Sequence, residues 1–187
     1  MIKVNLKALD FTPHAIQRAK ERFKMLNEAD IINMCKSIIR AGTYIGEITC
    51  DKGNRSHLFA SGKKGIILSQ DLTTVVTVIE YKRGHIPDLD KKNPLHDKLV
   101  KLYQSEIRRL TKLESTLYKK IKETKLYNDI ELANLNLKLY KTRSIKVKKE
   151  IEQRMAEIKI EFEEQELVMK QIESDKRIIA KSMACLT

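Results

Sequence analysis

The chain has 187 residues, 42% hydrophobic but only 5% aromatic, with no tryptophan; 37 Lys and Arg against 25 Asp and Glu give a net charge of +12. That length allows one ordinary domain plus an extension, or two small domains, and the charge favours a polyanionic partner such as nucleic acid, an acidic protein or an anionic membrane surface. Cys35, Cys50 and Cys185 show neither CxxC nor zinc spacing, and no apolar run approaches the ~20 residues of a membrane span, so a disulfide framework, a structural metal and a membrane protein are all disfavoured.

In chain order, "IKVNL" is a candidate short strand. Thr12 is a good helix N-cap with Pro13 at N1, where the missing N–H is harmless. The helix it opens runs to about Leu26, with Ala15, Ala19, Phe23 and Leu26 on one side. Asn27 caps a second helix whose apolar stripe is Ile31, Met34, Cys35, Ile38 and Ile39, and Gly42 stops it. Four strand signals follow: "TYIGEITC", "RSHLFAS", "IILS" and "TTVVTVIEY", separated by the turns "DKGN" and "GKKG". The last of these is almost wholly β-branched. The expected fold is α+β, with two N-terminal helices on a four-stranded antiparallel sheet spanning residues 1–84.

All six glycines and all three prolines precede residue 95. Because these residues punctuate structure most strongly, a linker over 85–94 and a long all-α extension over 95–187 are expected. Leu99, Tyr103, Ile107, Leu110, Leu113, Leu117 and Ile121 form one helical stripe. Val147, Ile151, Met155, Ile158, Phe162, Met169, Ile172 and Ile179 form a less regular second one. "IELANLNLKLY" (130–140) alternates in a partly strand-like way but has no evident strand partner, so it reads as helix. The extension is expected to fold back as a helical hairpin or coiled coil, with its turn near "KLYND" or "YKTRS". Residues 95–148 hold 14 Lys and Arg against 6 acids, whereas 149–187 hold 7 against 9. The acidic tract "EFEEQE" (161–166) could pair with the basic arm within a chain or between chains, so a homo-oligomer through these helices is expected.

Chemistry-bearing residues concentrate on the first helix. His14, Arg18 and Arg22 lie at roughly 0°, 40° and 80° round it, one continuous polar edge. Arginine offers a planar fork for phosphate oxygens, and histidine exchanges a proton near neutral pH. On the strands, His57 sits mid-strand, and Thr73, Val75, Thr77, Ile79 and Tyr81 are expected on one face. Lys63, Lys64, Lys82 and Arg83 supply a basic rim, which with His57 and Tyr81 forms a candidate nucleic-acid surface. No P-loop, GxGxxG, HExxH or GxSxG pattern occurs, so no cofactor and no metal is expected. The thiols are expected to be reduced in a cytoplasmic chain.

"TPHAIQRAKER", a second helix, and a meander closing on "LSQDLTTVVTVIEY" resemble toxin-type and phage-borne proteins of the barnase–EndoU–colicin–RelE fold superfamily. The nearest likeness is to the BrnT-like branch, with its H-x3-R-x3-R helix and late T-V-x-T-V strand, over about residues 10–84. The resemblance implies metal-independent endoribonuclease chemistry, in which the RNA 2′-hydroxyl attacks the adjacent phosphate. It would make His14 the general acid or base, Arg18 and Arg22 the stabilisers of phosphorane charge, and Thr77 the late-strand hydroxyl. It covers under half of the chain and assigns no second acid or base. Three functions therefore stand side by side. One is RNA binding with possible cleavage. Another is a non-catalytic phage or mobile-element protein that binds nucleic acid or inhibits a host protein complex, its partner being nucleic acid (RNA before DNA) or an acidic host protein. The third is a coiled-coil adaptor.

Overall fold

The computed structural model describes residues 2–50, 53–81 and 93–186. The chain divides into two compact units, residues 1–109 with 174–187, and residues 110–173.

In the first unit, α1 (Pro13–Phe23) begins as the sequence dictates: the Thr12 hydroxyl accepts a hydrogen bond from the Ala15 N–H at 3.0 Å. The helix stops three residues before Leu26, because Lys24 turns into the left-handed region at φ 54°. Helix α2 (Glu28–Ala41) opens with the Asn27 carboxamide accepting from the Ala29 N–H. It closes with the Gly42 N–H donating to the Ile38 carbonyl at 2.7 Å. A Cβ at Gly42 would stand 2.3 Å from that carbonyl oxygen, so the site admits no larger residue.

The sheet corrects the expected topology. It has five strands, not four, and is mixed, in the order β1-β5-β4-β3-β2. Strands β2 (Thr43–Thr49), β3 (Arg55–Ser61), β4 (Lys64–Ser69) and β5 (Thr74–Glu80) form the antiparallel meander. Strand β1 (Asp10–Phe11) precedes both helices and pairs parallel to β5. Two residues cannot display an alternating pattern, so the pairing that defines β1 is invisible locally. The "IKVNL" segment is not a strand; it leads into a single 3-10 turn over Leu6–Ala8.

A second correction concerns face. Ile67 pairs with Thr77 and Leu68 with Val75, so Val76 is an extra residue in the β5 ladder. Such a bulge flips the parity of everything beyond it. Val75 and Val78 therefore join the helix-side core, with Ala15, Ile16, Ala19, Ile31, Cys35, Ile38, Ile39, Phe59, Ile66 and Leu68. Thr77, paired with Ile67, points to the other face with Ile79 and Tyr81.

That other face is also covered. Ile45, Ile48, Leu58, Ala60 and Tyr81 pack with Ile107, Ala180, Met183 and Ala184, from the first turns of α3 (Pro94–Lys141) and the last turns of α4 (Ile145–Leu186). The first unit is thus a three-layer α–β–α sandwich. Asn93 caps α3 through the Leu95 N–H, and buried His96 donates from Nε2 to the Leu186 carbonyl at 2.8 Å, satisfying an end-of-helix acceptor.

In the second unit the two helices run antiparallel. Residues 130–140 are helical, and the turn falls at 142–144, within "YKTRS". The α4 side of the seam steps by four and three through Ile151, Met155, Ile158, Phe162, Gln165, Met169 and Ile172, a heptad. The Arg154 guanidinium grips Glu131 with two hydrogen bonds, at 2.8 and 3.3 Å, and reaches Glu157 at 3.3 Å. A half-open pocket of about 210 Å³ lies between the two helices, lined by Asn128, Leu132, Ile158 and Phe162 together with the charged Lys125, Asp129, Lys159 and Glu163. The Asn128 Nδ2 is buried there without a partner among the described residues.

Candidate functional site

Helix α1 lies along the exposed edge of β5, beyond the point where short β1 stops. Carbonyls left open on an edge strand need donors, and α1 supplies them. The Thr12 hydroxyl donates to the Val76 carbonyl at 2.9 Å, and the Arg22 guanidinium donates to the Val78 carbonyl. Arg22 is therefore fastened to the backbone of the sheet. Arg18 is paired with Glu21 at 3.3 Å on its own helix. His14 is exposed at the start of α1.

The other sequence-derived candidates lie apart from this edge. Thr77 faces away from α1, across the sheet. His57 is on the helix side but two strands from β5, and both of its ring nitrogens are engaged. Its Nε2 donates to the Gln70 carbonyl at 3.1 Å, so Nδ1 accepts from the Tyr44 hydroxyl at 3.1 Å. Burial, aided by the charge of Glu47, pushes the Tyr44 phenol up to about 12 and keeps it a donor. A proton shuttle needs a free nitrogen, and His57 offers none.

Lys64 lies with its ammonium 5.0 Å from the Phe23 ring centroid and 3.4 Å from the Met34 sulfur, so it packs under the helices instead of lining a rim. Lys63 is exposed at the β3–β4 turn. Tyr81 is buried against Gly65, where an added Cβ would come within 2.7 Å of its ring. Burial raises its phenol above the ordinary range, and its hydroxyl has no partner among the described residues. Lys82 and Arg83 lie outside the described residues. Across the described part of the sheet, then, His14, Arg18 and Arg22 share one edge, while Thr77, His57 and Tyr81 do not meet it. No group of three His, Cys, Asp or Glu side chains capable of holding a metal ion occurs among the described residues.

The second unit as a whole is nearly neutral, with 14 Lys and Arg against 12 acids over residues 110–173, but it holds a dense local run of positive charge. Residues 138–149 hold Lys138, Lys141, Arg143, Lys146, Lys148 and Lys149 and no acid, which is half of the chain's net +12 in twelve residues. They span the end of α3, the turn and the first turn of α4. All six side chains are exposed, and none is paired with a carboxylate among the described residues. Tyr140 and Ile145 stand among them at 88% and 75% exposure. Counting charge over whole halves dilutes this run; a count over one dozen residues isolates it.

No helix among the described residues is long and apolar enough to cross a membrane. No known protein family, curated protein or solved structure matches this chain.

Proposed function

We propose that this chain is a non-catalytic nucleic-acid-binding protein that contacts single-stranded RNA through the cationic tip of its helical hairpin. The observation that carries this reading is the contrast in how cations are held. Arg18 and Arg22 on α1 are occupied by Glu21 and the Val78 carbonyl, whereas six cations at the tip face solvent with no carboxylate partner among the described residues. A phosphate chain gains most from cations that need not first leave another partner. Exposed Tyr140 adds a surface on which an unpaired base can stack, a contribution of about 1–3 kcal/mol per base in single-strand binders.

Cleavage is the weaker reading, because 2′-hydroxyl attack needs a proton acceptor and donor on one phosphate. His14 has Arg18 and Arg22 beside it but neither Thr77 nor His57 opposite. The test is fluorescence anisotropy with a labelled 20-nucleotide RNA over 50–200 mM KCl, alongside a denaturing gel in EDTA. Six phosphate contacts give a slope of about −4 in log K against log salt. Binding with that slope and intact RNA supports the reading. RNA cut to 2′,3′-cyclic phosphate ends by wild type but not by His14→Ala restores the nuclease. No affinity at 50 mM salt leaves the adaptor.

A further inference from the structure

The alternation in "IELANLNLKLY" has a physical origin that bears on assembly. In a helix, a step of two residues turns about 200°, so alternation places apolar side chains on opposite faces. Leu132, Leu135 and Leu139 are half-buried on the side that meets α4. Ile130 and Leu137 are on the opposite side, at 62% and 52% exposure. With Leu126, 60% exposed, and exposed Ala133, they step by four, three and four residues and stay within an arc of about 60°. Single exposed leucines need no explanation, but a heptad-spaced apolar row does. It lies about 180° from the α4-facing side, so the chain's own hairpin partner cannot cover it.

We propose that this outer row of α3 is the interface of an antiparallel homodimer, in which Leu126 of one copy packs against Leu137 of the other and Ile130 against Ala133. Charge selects both the occupant and the direction. Glu123 and Lys141 lie on the same flank of the row, both about 50° from its centre line. Antiparallel two-fold pairing brings same-flank residues together, so Glu123 meets Lys141 of the other copy twice. A parallel pair would set the two uncompensated cationic tips, residues 138–149, side by side. Antiparallel pairing about residues 131–132 parts them by roughly 35 Å at 1.5 Å per residue. The proposal does not require the tip to bind RNA; it engages one tip cation, Lys141, and leaves the other five to solvent.

Sedimentation velocity of the full chain tests it, from about 1 to 100 µM. A concentration-dependent dimer is expected, abolished over that range by Ile130→Glu with Leu137→Glu, with the circular dichroism spectrum unchanged because both side chains lie outside the fold's own packing. Glu123→Lys and Lys141→Glu should each weaken the dimer by about tenfold, and together restore it, a reciprocity that neither a misfolded variant nor a parallel pair produces. A monomer at 100 µM overturns the proposal. So does a dimer that survives the double glutamate variant, or a charge swap without rescue.

Discussion

The two basic regions of this chain use the same residue types for opposite ends. On α1, arginine secures architecture: β1 is too short to cover the edge of β5, and Thr12 and Arg22 take the Val76 and Val78 carbonyls instead. At the hairpin tip, six cations point into solvent with no carboxylate partner among the described residues. The difference teaches that a cationic helix face is informative only once its acceptors are known. A guanidinium bound to a backbone carbonyl stabilises the fold, whereas one with only water around it is available to a ligand.

The largest expected effect separates the two regions directly. Reversing four tip charges, Lys138→Glu, Arg143→Glu, Lys146→Glu and Lys148→Glu, should cut RNA affinity at least 100-fold. It should also shrink the salt slope by about 0.7 for each lost contact, with the melting temperature little changed. An unaltered slope in that variant would break the comparison. Next, Arg22→Ala strips the donor from the Val78 carbonyl and should cost about 1–3 kcal/mol, read as a lower urea midpoint at constant m, with RNA affinity intact. If Arg22→Ala instead weakens binding without lowering stability, α1 is a ligand surface after all.

Two smaller effects sharpen the contrast in packing between the units. Gly65→Ala places a methyl 2.7 Å from the Tyr81 ring. Forcing the ring aside should cost about 1–3 kcal/mol, and Tyr81→Leu in the same chain should recover part of that. In the hairpin, Asn128→Leu removes an unpartnered buried amide and fills part of the pocket. It should gain about 1 kcal/mol, seen as a higher melting temperature. A loss there would mean that the Asn128 amide is satisfied in solution.

Much of the fold is written locally. Thr12–Pro13, Asn27 and Gly42 mark their helices, and the β-branched run marks β5. The absence of Gly and Pro after residue 94 marks the two long helices. What escapes is whatever depends on a partner. β1 exists only because β5 is beside it, and the bulge at Val76 moves Val75 to the opposite face from Thr77. Covering of the sheet's second face has a visible signal: "IILS" and the adjacent pairs Val75–Val76 and Val78–Ile79 set apolar residues at successive positions, the mark of strands buried on both sides. A sheet with one wet face would alternate instead. Site residues are less legible than elements: α1 shows its histidine, its arginines and Glu21, three residues from Arg18, in sequence, but not the Val78 carbonyl that Arg22 serves.

Under the proposed function, ligand contact resides at the hairpin tip and not at the α1 edge. The measurement that tests it most directly is RNA affinity at 100 mM KCl for three proteins: wild type, the four-charge tip reversal, and His14→Ala with Arg18→Ala. Binding by the first and third with indistinguishable affinity is expected, and its loss in the second. Equal binding by wild type and the tip reversal, with loss in the α1 double variant, would contradict it.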